Sequence, residues 1–159
     1  MALIRQATGA DMGPLARLWH SGWQDAHADI LPQELARHRT LASFRERLED
    51  GRDDLLVSGP EGAPLGFVML KGDELYQMYL TADARGAGLA AKLMRAAEDR
   101  LCAGGITTAW LACAIGNDRA ARFYEKSGWR RTGVITSRLE VPGGIFSLDV
   151  WRFEKTLAP

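Results

Sequence analysis

Cysteine is scarce in this chain: Cys102 and Cys113 are the only two in 159 residues. Two thiols cannot build a disulfide framework, and with no C-x-x-C pair they do not make a zinc site. Free thiols suit a reducing compartment, so a cytoplasmic location is expected. Excess charge of either sign is also missing, since 20 Lys and Arg balance 20 Asp and Glu. That balance offers no global field for nucleic acid or an anionic bilayer, and neither is expected as a partner. No apolar run is long enough to span a membrane, and Met1 to Gln6 lack the apolar core of a secretion signal. Histidine is limited to His20, His27 and His38. None has acidic or cysteine neighbours at ligand spacing, so no metal is expected. Ser21, Ser43 and Ser58 lack the glycine context of a nucleophile elbow. Repeats, low-complexity tracts and long linkers are absent too.

What remains is ordinary globular composition, 47% hydrophobic and 25% charged, and a length that suits a single domain over residues 1–159. Leu3 to Ala7 is a candidate first strand. Thr8-Gly9-Ala10-Asp11 has capping-box form and opens a helix with Met12, Leu15, Leu18 and Trp19 at helical spacing. That helix is expected to give way after Trp23 to a loop through His27 and Pro32. A second helix is expected from Thr40 to Glu49, with Leu41, Phe44 and Leu48 inward and Gly51 as its stop. Leu55–Ser58, Leu65–Leu70 and Glu74–Thr81 read as three strands separated by glycine turns. Gly88–Ala103 reads as a helix, Thr107–Ala114 as an apolar strand and Asp118–Lys126 as a short helix. Two closing strands are expected near Arg131–Leu139 and Phe146–Phe153. The meander should be antiparallel, and the helix crossing from Thr81 to Thr107 should make its two flanking strands parallel.

Two segments carry chemistry. In Leu80 to Ala90 a strand ends in a glycine-containing turn that opens a helix. The first helical turn has backbone N–H groups without helical partners, and with the helix dipole they attract an anion. Gly86 and Gly88 keep side-chain bulk off that turn, and Arg85 adds a positive charge. No Gly-Lys-Ser/Thr follows, so it is not a P-loop, and Gly86-Ala87-Gly88-Leu89-Ala90-Ala91 lacks the third glycine of a dinucleotide fingerprint. The second segment, Asn117-Asp118-Arg119-Ala120-Ala121-Arg122-Phe123-Tyr124-Glu125-Lys126-Ser127-Gly128-Trp129, follows the apolar strand.

Together these resemble the GNAT superfamily of acyl-CoA-dependent N-acyltransferases. Arg85 to Ala90 is similar to its Q/R-x-x-G-x-G/A signature, and Asn117 to Trp129 to its N-x-x-A-x-x-F-Y-x-K-x-G-F/W segment, about thirty residues on. The resemblance implies a mixed α/β fold: a mostly antiparallel sheet with one splayed parallel pair, flanked by helices. It implies acetyl transfer from acetyl-CoA to a primary amine by direct attack in a ternary complex. The main chain of Arg85, Gly86, Ala87, Gly88, Leu89 and Ala90 would then hold the CoA pyrophosphate. Met78, Tyr79 and Leu80 would pair with the pantetheine arm as an added strand does. Asn117 would order the cofactor or cap the short helix, or both. Tyr124 would stand near the CoA sulfur as general acid, the alternative being a core aromatic.

The base is harder to read. Glu74 is a candidate to take the amine proton, or else a solvated residue at a strand start. Trp19, His20, Trp23 and His27 are candidates for the acceptor wall; otherwise Trp19 is core and the histidines lie at the surface. Cys102 and Cys113 read as apolar-face residues rather than nucleophiles. Two other functions fit the same residues. One is a non-catalytic acyl-CoA sensor of the same fold, and the other a nucleotide-binding protein of another class. A small-molecule or peptide amine is the expected acceptor, and a homodimer is compatible with the chain.

Overall fold

A computed structural model describes residues 4–158; the Leu3 end of the expected first strand lies outside them. In chain order the elements are β1 (Ile4–Gln6), α1 (Met12–His27), α2 (Gln33–His38), α3 (Leu41–Asp50), β2 (Leu55–Ser58), β3 (Gly66–Lys71), β4 (Glu74–Leu80), α4 (Leu89–Ala103), β5 (Thr108–Ala114), α5 (Asp118–Lys126), β6 (Arg130–Val141) and β7 (Gly144–Thr156). The strands form one seven-stranded sheet in the order β1-β2-β3-β4-β5-β7-β6. Only β4 and β5 run parallel; the other neighbours are antiparallel. The mixed sheet with one parallel pair is the one the crossover helix requires.

Helices cover both faces, so the central strands are buried on both sides. Along β3 the side chains alternate between two cores: Phe67 and Met69 face α1 and α3, while Val68 and Leu70 face α4. The α1 core is aromatic. Trp19 is fully buried, 4.7 Å from the Phe44 ring and 5.6 Å from Phe67. The α4 side of the other core is aliphatic, built on Leu89, Leu93, Ala97 and Leu101 at helical spacing, with Trp129 and Phe153 completing it.

Three features differ from the sequence expectation. Helix α1 continues to His27, one turn past Trp23, because Trp23 and His27 themselves have a buried face to cover. A short helix, α2, occupies what reads as loop; it buries only Leu35, so its apolar signal is a single residue. Leu41, expected inward, is 45% exposed, because α3 turns only Phe44 and Leu48 into the core. Thr40 caps α3 by accepting from the Ser43 N–H at 3.1 Å.

The entry to α1 also holds a structure that motif reading does not reveal. Asp11 is buried and accepts from Arg5 at 2.8 and 2.9 Å, from the Thr8 backbone at 2.8 Å and from the Gly62 backbone at 3.0 Å. One carboxylate therefore ties β1, the start of α1 and the β2–β3 turn together. The Arg5 guanidinium and the backbone donors hold its pKa well below the usual carboxylate range.

Candidate active site

Strands β4 and β5 share a single paired position, Glu74 opposite Trp110, with a further bond from the Trp110 N–H to the Asp73 carbonyl at 3.2 Å. On its other side β5 pairs with β7 along its whole length, from Thr108 to Ala114. The sheet thus forks at Glu74 and opens toward Leu80 and Ala114. A cleft of about 500 Å³ occupies the fork.

A bulge sets which side chains of β4 reach each face. The β3–β4 register runs Met69 opposite Gln77 and Leu70 opposite Leu75, so β4 carries one extra residue at Tyr76. As a result Leu75, Met78 and Leu80 pack toward the α4 core, while Tyr76 and Tyr79 pack toward the α1 core. Strict alternation would have put Leu75 and Tyr79 on the same face. Tyr79 is seated 6.0 Å from Phe67 and 6.4 Å from Trp19. Helix α1 crosses it at Gly22, where an added Cβ would lie 2.6 Å from Tyr79 Cδ1.

At the open end of the fork, Gly86 and Gly88 have φ of +84° and +80°, the left-handed region that glycine reaches without steric cost. Nothing lies within 4 Å of where a Cβ would stand on either. The turn before α4 therefore presents bare backbone to open space. Arg85 and Arg119 flank it and share Asp25 of α1, at 3.3 and 3.9 Å. Asn117 caps α5, accepting from the Ala120 N–H at 3.4 Å, and also lines the cleft.

Glu74 sits half-buried on the cleft wall at the apex. Burial pushes its carboxyl up to about 7, against the opposing pull of Lys71. Tyr124 projects from α5 into the cleft, its ring 5.7 Å from Phe153. Burial raises its phenol above the ordinary value, with Cys113 and Tyr79 adding to the effect. Cys113 is buried and its thiol is pushed up to about 12, chiefly by burial. A thiol so protonated is a poor nucleophile.

Of the residues singled out in the sequence, Met78, Tyr79, Leu80, Arg85, Gly86, Gly88, Ala90, Asn117, Tyr124, Glu74, Trp23 and His27 all line this one cleft. Four do not. Trp19 belongs to the aromatic core. His20 packs at the back of α1, 6.0 Å from Phe44. Leu89 is buried in the α4 core, and the Ala87 side chain is exposed. His27 is buried, with Nδ1 3.1 Å from the Trp23 carbonyl oxygen, and burial lowers its pKa.

Motif reading missed the far wall. Arg39, Arg47 and Tyr76 line the cleft from below, and Leu139 and Leu148 of the β6–β7 hairpin close it from the side. The hairpin could have been suspected from its length of alternating residues. The arginines give no local signal, because it is the packing of α2 and α3 that brings them to the cleft.

The model of the acetyltransferase (GNAT) family matches residues 16–129, which include both the glycine turn and α5. The chain belongs to the GNAT family. It is thereby an enzyme of the acyl-CoA-dependent acyltransferase class. It is 37% identical over 119 residues to an uncharacterized N-acetyltransferase of Mycobacterium tuberculosis, covering 69% of this chain and 76% of the relative. Among solved structures, a GCN5-related N-acetyltransferase from Rhodopseudomonas palustris superposes with a TM-score of 0.76 at 22% identity, over 99% of this chain and 96% of that one. The PaiA N-acetyltransferase from Thermoplasma acidophilum, solved in complex with coenzyme A, superposes with a TM-score of 0.68 at 18% identity, over 98% and 99% of the two chains. The forked sheet is thus the GNAT fold.

Proposed function

We propose that the protein transfers the acetyl group of acetyl-CoA to a primary amine by direct attack, with Glu74 as the base and Tyr124 as the donor to the departing sulfur. The observation that supports this most is the placing of one protonatable carboxyl, near neutrality, at the apex of a cleft whose open end is bare positive-φ backbone.

The residues divide the work by position along β4. The turn from Gly86 to Gly88 offers unpartnered N–H groups to the pyrophosphate of the cosubstrate, beside the Arg85 side chain. Along the fork, β4 has lost its neighbour beyond Glu74, and its free edge is available to the amide groups of the pantetheine arm. That lays the thioester toward the bulge and Glu74. An alkylammonium, near pKa ~10.4 in water, must shed a proton to solvent before it can attack. The amine nitrogen then bonds to the thioester carbon and loses its second proton. A carboxylate with a pKa of about 7 accepts that proton at physiological pH and releases it to water. Main-chain N–H groups at the bulge are suited to stabilise the oxyanion. When the C–S bond breaks, the sulfur leaves as a thiolate, near pKa ~8.5. The Tyr124 phenol, held protonated by burial, is a weaker acid than that thiol. Its role is accordingly a hydrogen bond to the developing thiolate, and the sulfur takes its proton from solvent.

The test is amide formation, followed by mass spectrometry and thiol release, across a panel of primary amines with acetyl-CoA. The proposal expects turnover that falls about 100-fold or more in Glu74→Gln at pH 8 and by a smaller factor in Tyr124→Phe. Acetyl-CoA binding without turnover of any amine would leave the non-catalytic sensor as the better reading.

A further inference from the structure

Among the charged side chains on the cleft wall, only Arg85 and Arg119 have ion-pair partners among the described residues. Arg85 and Arg119 share Asp25 at the glycine-turn end. Arg39, just past the end of α2, is only 7% exposed, yet its side chain makes no hydrogen bond or ion pair among the described residues. Burial and the nearby Arg47 push its pKa down to about 10. Arg47 is half-buried. It lies 4.4 Å over the Trp19 ring, donates to the Tyr76 hydroxyl at 2.7 Å, and has no carboxylate within ion-pair distance among the described residues. Both reach the same cleft as Glu74, which among the described residues is the only acidic side chain on its wall.

A buried guanidinium without a counter-charge is costly, and proteins rarely keep one idle. Here Arg39 is such a group, and the half-buried Arg47 stands near it on the same cleft wall. They do not serve the phosphates at the glycine turn. Tyr76, which Arg47 touches, is separated from Thr81 by about 16 Å of extended strand, at the far end of the fork.

We propose that the amine acceptor carries a carboxylate, and that Arg39 and Arg47 bind it while its amino group faces Glu74: the substrate is an amino-carboxylic acid. This rests on the acetyltransferase reading above. A planar guanidinium matches a carboxylate through two parallel N–H donors. The acceptor's negative charge supplies the counter-ion that Arg39 lacks. The same pair of cations repels polyamines and aminoglycosides, which bring only positive charge to the cleft.

The test compares kcat/KM for amino acids of increasing chain length with that for their carboxamides and for the amines lacking the carboxyl group, in the wild type and in Arg39→Gln. The wild type is expected to prefer the carboxylate by about 10- to 100-fold, the worth of a charge-assisted hydrogen bond. In Arg39→Gln that preference collapses through KM, and Arg39→Lys restores part of it. Because the substitution removes an unpartnered buried cation, Arg39→Gln should unfold at the same temperature as the wild type or higher. The stabilisation given by acetyl-CoA should be unchanged. Equal turnover of acids and carboxamides, or a preference that survives Arg39→Gln, overturns this inference and leaves the acetyltransferase standing. Failure to acetylate any amine while acetyl-CoA binds overturns the transferase reading and this inference with it.

Discussion

Glu74 and Asp11 are both carboxylates shaped by their surroundings, and their shifts run in opposite directions. Glu74 is raised from 4.5 to about 7, so the folded protein binds its proton more tightly than the unfolded chain does. Stability therefore falls as pH rises from about 4.5 to about 7, and Glu74→Gln removes that loss. The variant is expected to melt a few degrees above the wild type at pH 8 and level with it at pH 4, as calorimetry would show. In activity the sign reverses. The base works when deprotonated, so wild-type kcat should climb through about pH 7, and that limb should vanish in Glu74→Gln. Asp11 is held below its ordinary value by Arg5 and two backbone donors, so what it contributes persists through mild acid and is lost only at lower pH. Asp11→Asn removes the charge opposite Arg5 and should cost about 3 kcal/mol. In a chain of this size that is a fall in Tm of about 6–12 °C. No motif announces either shift. Thr8 and Asp11 are legible as a cap, but Arg5 and Gly62 join them only through the fold. Glu74 is legible as a candidate, while its pKa depends on burial that sequence does not show.

Among the elements, those with strong periodicity or bounding glycines were legible almost to the residue: β2, α5 and the glycine-stopped α4. So was the parallel pairing of β4 with β5, since a crossover helix leaves little choice. The insertion of β7 between β5 and β6 was not legible, because strand order is set by long-range pairing. Nor was the bulge at Tyr76, which turns the phenol of Tyr79 into the aromatic core and leaves the main chain of β4 for the cleft. The contact of α1 with β4 rests on Gly22. In a helix interior Gly→Ala normally gains about 1 kcal/mol. Here the new Cβ would meet a ring carbon of Tyr79 at 2.6 Å, and the ring is held by Trp19 and Phe67. Gly22→Ala is therefore expected to destabilise by about 1–3 kcal/mol, an overpacking cost that outweighs the propensity. A lower urea midpoint with an unchanged slope would report it.

For the whole molecule, the fork divides a seven-stranded sheet into two blocks that meet at one pair, Glu74 and Trp110, and helices from both cores border the gap. A ligand lying in the fork contacts both blocks, so its binding should register in global stability. Acetyl-CoA at about a hundred times its dissociation constant should add ~2.7 kcal/mol. For this length that is a rise in Tm of about 5–11 °C. Gly88→Val places a branched side chain at φ +80°, over the bare turn. It should reduce the rise well below the wild-type value, whatever it does to the unliganded protein.

The most direct measurement is thermal unfolding with acetyl-CoA against adenine nucleotides that lack the pantetheine arm. The account expects a rise of that size with acetyl-CoA, a much smaller one with the nucleotides, and a reduced response in Gly88→Val. A folded protein whose Tm does not move at saturating acetyl-CoA, or moves equally with plain nucleotides, would contradict the assignment of the fork as the thioester site.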